Sequence, residues 1–87
     1  MVSQYLSIVG KPVLPPFWAL GFHQCSWDYN NSDVMETVVK TYQDKGYPFE
    51  SIWADINYMD KKIDFTVDSL PGRPYEGLPM AVDKWHT

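Results

Sequence analysis

The residues best suited to chemistry lie in Ile52-Trp53-Ala54-Asp55-Ile56-Asn57-Tyr58-Met59-Asp60. Asp55 stands in an apolar, strand-prone run, with Trp53 two residues before it and Asn57 two after. On a strand, side chains alternate, so these three share one face. A carboxylate buried there is costly unless it is hydrogen-bonded or used. Asp55 therefore reads either as a group that binds a substrate or as a structural acid bonded to loop amides. Asp60 reads as solvated or capping, and Asp28 as a turn residue. Trp27 carries a flat apolar ring that can stack on a sugar, and packing explains it equally well. His23 reads as a satisfied core histidine rather than a base or ligand. The two histidines, His23 and His86, lack metal-ligand spacing, and no phosphate loop or Gly-x-Ser-x-Gly elbow is present.

Such groups need elements to position them. Residues 17–24, Phe-Trp-Ala-Leu-Gly-Phe-His-Gln, read as a first strand, with Trp18, Leu20 and Phe22 on one face and Ala19, Gly21 and His23 on the other. Residues 26–32 read as a loop. A helix follows, capped by Ser32 or Asp33, with Asp33 and Glu36 at capping-box spacing. Val34, Met35, Val38, Val39 and Tyr42 form its apolar stripe. Gly46 stops it, with Pro48 just beyond. Residues 49–57 read as a second strand, with Ile52, Ala54 and Ile56 opposite the Asp55 face. Strand, helix, strand with short connections predicts a βαβ unit with parallel strands. Further on, residues 63–67 alternate like a short strand, residues 68–77 are a loop, and Pro79 to His86 begin a second helix. Upstream, Pro12, Pro15 and Pro16 exclude helix and central strand, so residues 1–16 are expected to be an extended lead-in to a barrel segment spanning 17–87.

Composition narrows the function classes. The 87 residues carry seven basic and eleven acidic groups, a net charge of −4, and one arginine, Arg73. Without a basic stripe, the electrostatic footprint of a nucleic-acid binder is missing. A neutral, hydroxyl-rich ligand suits this balance better than a phosphate polymer. Cys25 is the only cysteine, which excludes an internal disulfide and a multi-thiolate metal site. It reads as a small buried hydrophobe. No metal or organic cofactor is expected. No transmembrane run or signal peptide is visible. Asn30-Asn31-Ser32 is a glycosylation sequon, with Asn30 the acceptor.

Apolar residues make up 45% of the chain and aromatic residues 16%, including Trp18, Trp27, Trp53 and Trp85. That is the composition of a large protein's interior. Two parallel strands with one and a half helices do not cover such rings, because parallel strands are normally buried on both faces. An open apolar edge is an aggregation hazard. The expectation is a piece of a larger α/β barrel, incomplete on its own. The competing reading is a small autonomous α/β domain.

Two runs then become familiar. Ile8 to Cys25, through Gly10-Lys11-Pro12-Val13-Leu14-Pro15-Pro16 and Phe17-Trp18-Ala19-Leu20-Gly21-Phe22-His23-Gln24, resembles the opening of the catalytic barrel of glycoside hydrolase family 31. The likeness is to its α-glucosidases of the acid maltase and sucrase-isomaltase kind. Trp27 and Tyr29 fall where that family has a Trp-Gly-Tyr turn. Ile52 to Asp60 resembles its second-strand motif, and Asp64-Phe65-Thr66 and Leu78-Pro79-Met80 continue the likeness.

The resemblance implies the first two βα units of a (β/α)8 TIM barrel. It implies a retaining, exo-acting α-glucosidase acting on maltose- or starch-type oligosaccharides. Asp55, Trp27 and Trp53 are then its expected substrate-binding residues here. The family's nucleophile and acid/base aspartates lie on later strands, so no catalytic residue is expected in this chain. Both carboxylates are indispensable to a retaining mechanism, so the chain alone is expected to be inactive and to need the rest of the barrel. The resemblance implies a secreted, lysosomal or endoplasmic reticulum site for the parent protein. Other readings are a non-catalytic carbohydrate-binding or regulatory remnant, an α-xylosidase and an endoplasmic reticulum glucosidase. Three positions depart from the family. Asn57 stands where an aspartate is common, Ser26 where an arginine precedes the tryptophan, and Asp28 where a glycine is usual. Loss of the arginine removes a fixed multi-donor group.

Overall fold

The computed structural model of the chain describes residues 1–86. Thr87, the last residue of the expected barrel segment, lies outside the described residues. Among the described residues five regular elements follow one another: α1 (Val2–Val9), β1 (His23–Cys25), α2 (Ser32–Asp44), β2 (Ser51–Trp53) and α3 (Leu78–Trp85). Short 3-10 turns occupy Phe17–Leu20, Asp55–Tyr58 and Asp60–Lys62. β1 and β2 pair in parallel, with His23 opposite Ser51, Gln24 opposite Ile52 and Cys25 opposite Trp53.

α2 forms for the reasons its sequence suggests, but its cap is different. Asn31, not Ser32 or Asp33, is the N-cap, and its side chain accepts from the Val34 amide at 2.9 Å. Ser32 is already helical and buried, and its own amide donates to the Pro74 carbonyl. The helix ends where Gly46 takes φ 67. There the Tyr47 amide donates to Tyr42 O and the Gly46 amide to Gln43 O, the paired bonds of a Schellman motif. The Tyr42 and Tyr47 rings meet edge to face across it. Tyr42 also stacks on Phe49 at 5.0 Å and donates to Gln24 Oε1 at 2.8 Å, tying α2 to β1 and to the lead into β2.

The expected stripe of α2 packs except at Val34, which is exposed. Met35 and Val39 are buried, and Val38 is half-buried against the core. Ile52 and Ala54 of the second strand region face the same cluster, together with Leu78 and Trp85 of α3. The buried centre of this core is only partly on regular elements: Met35 of α2 meets two loop residues there. These are Tyr29 and Tyr75, with the Tyr75 hydroxyl donating to the Tyr29 carbonyl oxygen.

Four expectations need correction. Residues 1–16 are not extended throughout, because Val2–Val9 is helical. The prolines that forbid helix begin only at Pro12, and Gly10 at φ 85 ends α1. The first strand is not 17–24. After Pro16 the chain closes 3-10 turns, with Ala19 N donating to Pro16 O and Gly21 N to Trp18 O. A partner becomes available at Phe22, whose carbonyl accepts from the Glu50 amide. The second strand is Ser51–Trp53, not 49–57, and turns away at Ala54 (φ −80, ψ −8), just past the end of β1. Residues 63–67 do not form a strand. Phe65 has φ 63, and the Thr66 hydroxyl accepts from Asp60 N and donates to Ile63 O, closing a turn instead.

Candidate functional site

The C-terminal ends of β1 and β2 lie side by side, and the loops leaving them carry the expected site residues. Cys25 and Trp53 are the last paired residues of the ladder. In parallel α/β folds, sites are built at this end.

Asp55 sits two residues beyond Trp53, in the 3-10 turn rather than on the strand. Alternation therefore does not aim it, and the expected shared face of Trp53, Asp55 and Asn57 dissolves after Trp53. Its backbone has φ 51, in the left-handed region that non-glycine residues seldom adopt. Aspartate tolerates that region better than most residues. Oδ1 accepts from the Ile56 amide at 2.6 Å, and Oδ2 accepts from the Cys25 thiol at 3.8 Å. The carboxylate is exposed.

Cys25 is thus not the small buried hydrophobe expected, but an exposed free thiol at an open strand end. Partial desolvation, then the Asp55 charge and its hydrogen bond, push the thiol up from its ordinary value. It is held in the donating S–H form.

Trp53 is 55% exposed, and its indole N–H donates to His23 Nδ1 at 3.1 Å. With Nδ1 accepting, the imidazole proton belongs on Nε2, which lies 3.3 Å from the Trp18 carbonyl oxygen and can donate to it. His23 is satisfied, as expected, but half-buried between Trp18 and Trp53 rather than in the core.

Trp27 is 61% exposed. The Lys62 ammonium lies 5.3 Å from its ring centroid, so one face already carries a cation–π contact and the other is the one left for a ligand. The Trp27 carbonyl accepts from Asn57 Nδ2 at 2.8 Å, which joins the loop after β1 to the turn after β2. An aspartate at position 57 has no such donor. Ser26 Oγ accepts from the Asp28 amide at 3.1 Å, a local turn that an arginine at 26 does not make. Two of the three family departures therefore make bonds of their own. Asn57 Oδ1 and Asp60 Oδ1 are buried acceptors without a partner among the described residues. A hollow of about 290 Å3 opens among Asn30, Asn57, Lys62 and Tyr75.

Asn30 is exposed, while Ser32 of its sequon is buried. Among the described residues, no group of three or more His, Cys, Asp or Glu side chains converges as a metal site. No helix among them is long and apolar enough to cross a membrane. A separate groove of about 390 Å3, lined by Met35, Val39, Ile52 and Trp85, lies on the Ile52 face of β2 and includes none of these site residues.

Comparison with known proteins gives the cluster its context. Residues 12–81 match the TIM-barrel domain of the glycosyl hydrolases family 31. This chain belongs to glycosyl hydrolase family 31. It is 51% identical over 65 residues to the lysosomal acid alpha-glucosidase of Tetrahymena pyriformis, covering 75% of this chain and 7% of that protein. It is 41% identical over 86 residues to alpha-xylosidase 1 of Arabidopsis thaliana, covering 99% of this chain and 9% of that protein. Human intestinal sucrase-isomaltase is 40% identical over 86 residues, 99% of this chain and 4% of that protein. The chain therefore spans a small part of the length of these relatives. A family 31 barrel segment accounts for helices around a two-stranded parallel sheet.

Sequence reasoning missed two members of the cluster. Cys25 was detectable as the residue closing a strand motif, in line with the end of the second strand. Lys62 carried no signal, because it reaches Trp27 only through a turn in which Lys61 and Lys62 both have positive φ.

Proposed function

We propose that this segment forms the first two βα units of a (β/α)8 barrel in a retaining, exo-acting α-glucosidase. In this reading Asp55 accepts hydroxyl hydrogens of the terminal glucose. Trp27 and Trp53 bound the same pocket with their apolar rings. The observation that carries the reading is the placement of Trp53 at the end of β2, Asp55 in the turn after it and Trp27 in the loop after β1, at the C-terminal ends of two parallel strands joined there by the Asn57–Trp27 bond. Asp55 is exposed and ionisable there, so it can accept hydrogen bonds that strengthen as charge builds on the sugar ring. Relatives named as α-glucosidases support the substrate class.

The nucleophile and the acid/base belong to later strands of the barrel. This chain then binds and orients one end of the sugar and does not itself break the glycosidic bond. The large exposed side chains Phe17, Leu14, Phe65 and Met80 are the surface that the rest of the barrel and its neighbours cover. The purified 87-residue chain is expected to show no turnover of p-nitrophenyl α-D-glucoside, while the full-length protein hydrolyses it with retention. Turnover by the short chain, or inversion by the long one, would sink this reading.

A second reading is α-xylosidase, because the Arabidopsis relative of that name matches over 99% of this chain. Paired assays on aryl α-glucoside and aryl α-xyloside separate the two. A hydroxymethyl pocket shows itself as a higher kcat/KM for the glucoside.

A further inference from the structure

We infer that Cys25 is the positioning residue of Asp55: its thiol, at the end of β1, fixes the direction in which the carboxylate faces. The inference deepens the proposed role of Asp55 in sugar binding and rests on it.

Strand geometry does not aim Asp55. β2 ends at Trp53, Ala54 is already helical, and Asp55 is left-handed at φ 51. A residue held in a sparsely populated region persists only where its surroundings fix it. Two interactions do so. The bond from the Ile56 amide to Oδ1 is local, and it ties the carboxylate to its own turn. The Cys25 contact to Oδ2 joins that turn to the neighbouring strand. The ladder dictates this pairing, because Cys25 is the register partner of Trp53 and Asp55 follows two residues later. Only the protonated thiol can donate, and desolvation together with the Asp55 charge holds it in that form. Cys25 is exposed, so shortening it opens no core cavity.

A double-mutant cycle in the full-length protein tests this, with kcat and KM measured on p-nitrophenyl α-D-glucoside. Cys25→Ala is expected to lower kcat/KM by about three- to tenfold, mainly through KM. Cys25→Ser, which keeps a donor, should recover part of the loss. In an Asp55→Ala background, Cys25→Ala should cost nothing further. An equal loss in both backgrounds means Cys25 does not act through Asp55, which overturns the inference and leaves the Asp55 role standing. An Asp55→Ala protein with unchanged kcat and KM removes the Asp55 role and this inference with it. Where Asp55→Ala is too slow to assay or fails to fold, alkylation decides. Iodoacetamide labelling near neutral pH, followed on the Cys25 peptide by mass spectrometry, should run several-fold faster in Asp55→Asn than in the parent. Loss of the carboxylate charge frees the thiol to ionise. An unchanged labelling rate overturns the inference.

Discussion

Asp55 has both carboxylate oxygens engaged within the chain, one by the Ile56 amide and one by the Cys25 thiol. Each oxygen keeps lone-pair capacity for a hydroxyl donor. Asp55→Asn keeps the shape and loses the charge. Hydrogen bonds to charged groups contribute about 1.5–3 kcal/mol, so kcat/KM of the full-length protein should fall roughly 10- to 100-fold. The glycosyl-enzyme should still form, since the nucleophile is elsewhere, and trapping it for mass spectrometry checks this. Normal binding and cleavage would mark Asp55 as a structural acid. Asn57 gives a less intuitive prediction. Asn57→Asp restores the residue common in the family, yet it places a carboxylate oxygen against the Trp27 carbonyl in place of a donor. We expect a loss of about 1–3 kcal/mol in denaturant unfolding, because the Trp27 carbonyl loses its partner and faces a charge. A neutral or stabilising effect would show that the Asn57 bond is dispensable.

At the scale of elements, α2 is the part that holds the two strands in register. Asn31 caps it, Tyr42 ties it to Gln24 and Phe49, and Met35 and Val39 bury its inner face. Asn31→Ala should destabilise the protein by about 1 kcal/mol, seen as a lower denaturant midpoint with unchanged slope. Asn31→Ser should keep most of that stability. The rule of alternation served for Ile52 and Ala54, which face the core, and failed for Asp55 and Asn57. Alternation holds only while a ladder holds the strand, and the ladder ends at Cys25 and Trp53. Gly21 is a second constraint at this scale. A Cβ there would stand 2.1 Å from Glu50 Cγ, so a side chain at this position requires the exposed Glu50 side chain to move.

The whole chain is elongated. Its radius of gyration is 17.3 Å, against about 12 Å for a compact domain of this length. α1 has no buried residue, and much aromatic surface is open. What compactness exists centres on Tyr75, 1% exposed, whose hydroxyl is spent on the Tyr29 carbonyl. Burial pushes the Tyr75 phenol up from its ordinary value. The folded state therefore favours the protonated phenol. Its contribution is fully present below the unfolded tyrosine value near about 10 and is lost as pH rises through the folded one. Thermal unfolding should show Tm falling above about pH 10, and the Tyr75→Phe protein should lose less over that range. Equal alkaline slopes for the two would show that other groups govern it.

The sequence by itself determined the apolar stripe of α2, its stop at Gly46, the parallel strand order and, through its two long motifs, membership of family 31. These are local or periodic properties, written in residue spacing and in backbone freedom. Tertiary structure decided where the strands end, since a strand extends only as far as its partner does. It decided that Tyr29 and Tyr75, on loops with no periodicity, join Met35 at the centre of the core. It decided that Asn31 is the cap, because Ser32 is drawn inward to Pro74 and Gly77. And it brought Cys25 to Asp55, and Asn57 and Lys62 to Trp27. The partners in each of these contacts are 30 or more positions apart along the chain, and the pairing of two three-residue strands brings them together.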